Sequence, residues 1–355
     1  MIWKTLYKHS SRDHGTLGYF QSLLNRYNVN DPKKEVDASI DFLLTVVKGH
    51  FLACACKILG ITSLNSPHIF EATIEQQRAY ITSIAKQVVH QCTLVGESFV
   101  NGKVCDSGDH VYNYARVLCH FGAMVMEFRD GWDNGDGDRM FTSWRLLLPH
   151  FIVAGRTKYS LEALRLQIQV KSVLSPRLAH QIMWDRFVNT HGRAGRNIPC
   201  DLYNEHVNKL LKHIIVTMGA NLTEKALHRA AQSVTTLESI CKRFDQQSGV
   251  PVGTHAHSTR SDKQDVGKVM NTVLTRGLLD VIPGRAHTAF KTMRLNSLWN
   301  WDISNTCKWI EKKRKQFMMF RGAMRRFRRV AVVTLIVTTK MDQVSLDKTV
   351  KILLL

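Results

Sequence analysis

Residues 109–128 read DHVYNYARVLCHFGAMVMEF, and the apolar positions within them decide the fold class. Val111, Tyr114, Leu118, Phe121, Val125 and Phe128 follow one another at alternating steps of three and four, which places all six on one face of an α-helix. The same period continues outward on both sides. Upstream, Asp31 and Pro32 read as an N-cap and a first-turn proline leading into Val36, Ile40, Leu43, Leu44, Val47 and Phe51, with Gly60 as the stop. Residues 71–92 repeat the pattern, and residues 96–108 form a polar, glycine-containing break.

Downstream, residues 131–137 interrupt the period, and Phe141, Trp144, Leu148 and Phe151 resume it. Residues 156–174 are apolar on more than one face, as a central helix is, and Ser175 and Pro176 end that helix and start another running to about Asn189. A further helix opens at Asp201 and stops at Gly219, and residues 221–224 resemble a capping box ahead of Leu227, Ala230, Val234, Leu237, Cys241 and Phe244. The sequence therefore predicts a mainly α protein, a multi-helix bundle-like domain with few or no strands over residues 1–290. Residues 291–355 follow as a basic tail, partly helical or disordered.

Composition supports a packed chain. With 355 residues, 44% hydrophobic and 22% charged, it affords a sizeable core and excludes the low-hydrophobicity class of disordered proteins. Lys+Arg 49 against Asp+Glu 29 gives +20, which favours polyanionic partners, DNA or RNA among them. From Lys291 onward there are fifteen Lys/Arg and four Asp/Glu, a net +11, so the body is only moderately basic. The eight cysteines sit mostly at apolar positions of helical patterns with no Cys-x-x-Cys pair, which fits reduced, packed thiols better than a zinc site. No charged leader with an apolar run opens the chain, and residues 330–338, its most apolar segment, fall short of the roughly 20 residues of a membrane span. The expectation is an intracellular protein without a membrane span, with the nucleus open to it through its basic tail; its protein partners stay open.

The densest set of reactive side chains lies in residues 187–212. There Gly192, Arg193, Ala194, Gly195 and Arg196 form a loop able to present backbone N–H groups and two guanidinium groups to phosphate. A Gly-x-x-Gly loop is similar to that of the K homology RNA-binding domain, but the strands which that domain needs are not evident in the flanks, and a plain helix-to-helix connection competes. On the helix that follows, Asp201, Glu205, Asn208 and Lys212 share a stripe. Two carboxylates one turn apart can hold a divalent cation or act as acid and base; equally, Asp201 can cap the helix and Glu205 can pair with a neighbour. In the tail, Arg325, Arg326, Arg328 and Arg329 interleave with Phe320, Met324 and Phe327 in a basic amphipathic pattern that fits nucleic acid, acidic lipid or an import receptor as well as a solvated helix. Residues 133–138 only superficially suggest a calcium loop, since the twelfth position is Trp144 and not Glu. His255, His257 and His287 read as loop histidines.

Taken with these residues, the chain resembles domain-of-unknown-function family 6589, a eukaryotic family. The resemblance rests on residues 126–130 (MEFRD), 135–137 (GDG), Trp144, 147–149 (LLP), 155–159 (GRTKY) and Glu162. It continues through 174–177 (LSPR), 186–189 (RFVN), 195–199 (GRNIP), Asp201, Glu205, His206, Asn208, 219–221 (GAN), 282–285 (IPGR), His287 and Phe290. Membership implies descent from a multicopy mobile element, and with it two expectations. One is a helical protein binding nucleic acid through Arg193, Arg196, Lys212 and the tail arginines. The other is a remnant of a metal-dependent nuclease with Glu162, Asp201 and Glu205 as its carboxylates, the one case in which a divalent cation is a cofactor. A helical interaction scaffold is the third reading. Against fuller members the chain reads as N-terminally truncated with an atypical tail, and little activity is expected of it.

Overall fold

The computed structural model describes residues 2–9, 11–31, 34–61, 73–93, 99–100, 103–104, 108–190, 192–219, 223–249, 262–291, 293 and 303–320. These are mainly α-helical. Twelve α-helices, a short 3-10 helix (Tyr27–Val29), a π-helical turn and two antiparallel hairpins of two-residue strands make up the regular structure among them. The chain forms two compact units: one of Met1–Arg129, Asp138–His180 and Ser261–Leu355, and a second of Asp130–Gly137 and Gln181–Arg260.

The first unit is built around α3 (Val36–Leu59). This helix is apolar on nearly every side, and thirteen of its residues between Ser39 and Cys56 are buried. It is long and apolar enough to cross a membrane, yet most of it lies inside the unit's own core. The sequence expectation had given the central position to residues 156–174. That stretch instead forms α7 (Thr157–Ile168) and a π-helical turn (Gln169–Val173), and it covers the core with one side only. Its apolar side chains are short or clustered at 163, 164, 166 and 168, so Lys158, Tyr159, Glu162 and Arg165 are left to solvent. The start of α3 also differs: the Asp31 main-chain carbonyl accepts the N–H groups of Lys34 and Glu35 in a separate turn, and helix begins at Val36. Gly60 ends it in the left-handed region as expected (φ 66°).

Around α3 pack α1 (Ile2–Leu6), α2 (Leu17–Leu23), α4 (Ile74–Cys92), α5 (His110–Asn134) and α11 (Asp262–Thr275). Two glycines set the closest crossings. A Cβ on Gly49 of α3 would overlap the Val269 side chain of α11, and one on Gly122 of α5 would overlap Val47 of α3. Helix α4 opens with a capping box, Thr73 accepting from the Gln76 N–H at 3.2 Å while the Gln76 side chain takes the Thr73 N–H. The break at residues 96–108 holds the first hairpin, β1 (Phe99–Val100) paired with β2 (Lys103–Val104).

Tyr114 joins the N-terminal helices to α5. It is fully buried, donates to the Leu6 carbonyl at 2.6 Å and accepts from the Leu17 N–H at 3.1 Å. His287 meets the same ring edge-on and Phe290 packs on it at a tilt. His287 is therefore no solvated loop histidine: it is 3% exposed, and its Nε2 pairs with the His14 carbonyl at 3.1 Å. Asp109 caps α5 through the N–H groups of Val111 and Tyr112, and its other oxygen takes the Ile282 N–H and two nitrogens of Arg285, at 2.9 and 2.6 Å. Burial would raise the Asp109 carboxyl, but Arg285 and the backbone donors hold it below the ordinary value.

A small second core in this unit gathers Leu148 of α6 (Gly137–Val153), Ala163, Leu164 and Ile168 of α7, and Ile310 of α12 (Ile303–Phe320). Next in the chain after α7 and its π-helical turn comes α8 (Pro176–Trp184), which stops earlier than the periodicity implies because residues 187–188 turn into a strand.

The second unit is an α-hairpin, α9 (Cys200–Met218) and α10 (Glu224–Gln247), beside the hairpin of β3 (Phe187–Val188) and β4 (Ile198–Pro199). Thr223 caps α10 by accepting the Ala226 N–H at 3.2 Å, a position two residues after the Asn221 that opens the expected box.

Candidate functional site

The Gly/Arg loop lies at the tip of the β3–β4 hairpin and does not connect helix to helix. Phe187 pairs with Pro199 and Val188 with Ile198. Strands this short, one ending in proline, leave no alternation to read, which is why the sequence hid them. Gly192 and Gly195 hold φ of 62° and 69°, a region that costs other residues. Two asparagines fix the loop: Asn189 donates to the Arg193 carbonyl at 2.8 Å, and Asn197 donates from side chain and backbone to the Asp133 carbonyl at 2.8 and 3.2 Å. Gly137 sits where a Cβ would meet the Met183 carbonyl oxygen at 2.6 Å. The motif residues Gly135 to Gly137 and Asn197 are thus one locked turn. Arg193 and Arg196 remain exposed on it.

On α9, Asp201, Glu205, Asn208 and Lys212 are all exposed, while Val207, Leu210, Leu211, Ile214 and Met218 are half-buried, so the two stripes read from the sequence fall on different faces. No side chain of α9 is fully buried. The N-cap is Pro199, and Asp201 accepts from the Leu202 N–H at 2.9 Å within the first turn. Its charge also acts on Arg186. The neighbouring His206 reaches Glu238 of α10 at 3.3 Å. Glu162 belongs to the first unit, 64% exposed and 3.9 Å from Arg165. Among the described residues no group of three or more His, Cys, Asp and Glu is spaced to hold a metal ion. Arg325, Arg326, Arg328 and Arg329 lie outside the described residues, as do His255 and His257.

The first unit contains a constellation that sequence reasoning missed. Cys54 and Lys57 of α3, His90, Gln91 and Cys92 of α4, Tyr112 and Arg116 of α5, and Leu279 line a cavity of about 300 Å³. Arg116 is only 4% exposed. It donates to the carbonyls of His90 (3.3 Å) and Thr93 at the end of α4, where the helix dipole favours a cation, and its guanidinium stands 5.5 Å from the Tyr112 ring centre. A hydrogen bond to Cys92 and then burial raise the Cys54 thiol; burial and a hydrogen bond to Cys119 raise Cys92 well above its ordinary value. The cavity is walled by protonated, poorly nucleophilic thiols, in accord with the packed-thiol expectation. No periodicity could announce it, because its members come from three helices and meet only through packing.

Charge is the other feature distributed unequally. The second unit carries ten Lys/Arg and nine Asp/Glu, a net +1, so nearly all of the +20 belongs to the first. Part of it stands on α12, where Lys308, Lys312 and Lys315 are exposed.

These features define a mainly helical protein with a locked Gly/Arg hairpin on a nearly neutral unit and its positive charge elsewhere. Residues 1–257 match the profile of the Family of unknown function (DUF6589), and the chain belongs to that family. No curated protein and no solved structure matches it.

Proposed function

We propose that this chain is a mobile-element-derived helical protein that binds nucleic acid through phosphate contacts. The observation that carries the reading is the placement of charge: the first unit, tail included, holds 39 Lys/Arg against 20 Asp/Glu. A surplus of that size draws a polyanion by releasing its counterions, without any base-specific contact. Arg193, Arg196 and Lys212 add exposed cations on the second unit, and the arginines at 325, 326, 328 and 329 extend the basic character of the C-terminal region.

Filter binding of the full chain to duplex DNA, single-stranded DNA and RNA over a range of salt tests this. The expected result is affinity that falls steeply, log K dropping by about 0.9 per phosphate contact for each tenfold rise in salt on duplex DNA and about 0.7 on single strands. Absence of binding near 0.15 M salt (about physiological), or binding indifferent to salt, would refute it.

A further inference from the structure

The anchoring of α12 turns a run of lysines into a fixed surface. Thr306 and Ile310 are each 3% exposed, and Ile310 joins Leu148, Ala163, Leu164 and Ile168 in the small second core, with Trp309 packed against it. At about 100° per residue, Lys308, Lys312 and Lys315 then stand on the face opposite Thr306 and Ile310, and all three are exposed. Helix α7, packed on the same core, offers Lys158 and Arg165 to solvent. Against these five cations stand two carboxylates, the exposed Glu162 of α7 and the half-buried Glu311 of α12.

We propose that the stripe Lys308, Lys312 and Lys315 is a track for the phosphate backbone of nucleic acid, with Lys158 and Arg165 of α7 adding to the positive field of the same unit. This rests on the nucleic-acid reading above and places its principal contact. The stripe runs about 10 Å along the helix, a length over which B-DNA carries about six charges. Because the helix is already docked, its lysines bind without first ordering the segment that bears them. Among the described residues the same docking favours nucleic acid over an acidic membrane: a helix lying in a bilayer surface needs a free apolar face, and α12 commits Ile310 and Trp309 to its own core.

The test compares duplex DNA binding of the full chain with that of the triple variant Lys308→Gln, Lys312→Gln, Lys315→Gln. The three side chains lie outside the core, so circular dichroism should be unchanged. The salt slope should become shallower by roughly three, and affinity near 0.15 M salt should fall on the order of 100-fold. A control with equal charge loss on the second unit, Lys225→Gln, Arg229→Gln, Arg243→Gln, should retain the wild-type slope. If the control and the α12 variant weaken alike, or if only Arg193→Gln with Arg196→Gln does so, the track is wrong while nucleic-acid binding stands. If wild-type protein binds no nucleic acid, both ideas fall. Binding to phosphatidylserine vesicles that is lost in the α12 variant, with DNA binding intact, would also overturn the proposal.

Discussion

Asp109 and Arg285 show how much one pair can carry. The carboxylate is fully buried, caps α5 with one oxygen and holds Arg285 with the other. Removing the guanidinium leaves an uncompensated charge in the interior, so Arg285→Ala should cost about 3–5 kcal/mol. Urea denaturation would register this as a lower midpoint with an unchanged m-value, whereas a loss under 1 kcal/mol would mean the pair is dispensable. Asp109 was legible as the start of a helix because capping is a local matter. Arg285 as its partner was not, since 176 residues separate them and nothing local links the two. The same limit hid Arg116 and its thiols. The α9 polar stripe, in contrast, was readable from spacing alone, and its exposure on the surface follows that spacing.

Elements were recognised to the extent that they are periodic. Helices α3, α4, α5, α9 and α10 lie where steps of three and four put them, with ends displaced by caps such as Glu35 and Thr223. The two-residue strands have no period to find. Nor does apolar content by itself rank helices by depth: α3 is central because Gly49 and Gly122 let α11 and α5 approach it closely. Gly122→Ala gains roughly 1 kcal/mol of helix propensity but forces Val47 aside, and overpacking of this kind costs about 1–3 kcal/mol. The expected net effect is destabilisation. It should be less than additive with Val47→Ala, which vacates the same space; a double-mutant cycle that sums without coupling would show that the two do not meet.

For the molecule as a whole, acid is the condition that should reveal its interior. Burial lowers His50 to about 4, His120 to about 4 and His150 to about 3, so the folded protein keeps all three neutral. The unfolded chain protonates them near 6.5. Their folded values lie lower, so the stability tied to them is present above pH 6.5 and is lost as pH falls from 6.5 toward 4. At about 1.4 kcal/mol per pH unit for each, stability should decline by several kcal/mol before ordinary carboxylates titrate. Thermal unfolding followed from pH 7 to 4.5 should show that slope, and His120→Leu should flatten it; a level profile in wild type would contradict the neutral-histidine interior.

The second unit's residues 181–260 are inserted between stretches of the first, and this dictates a schedule during synthesis. A nascent chain that has just exposed Asp109 must wait for 176 more residues before Arg285 reaches it, roughly 9–35 s at 5–20 residues per second. Until α11 is made, the face of α3 destined for it lacks that partner. The ribosome-bound intermediate therefore presents an apolar helix to the cell, and chaperone engagement should peak before residue 262 emerges and subside once α11 is complete.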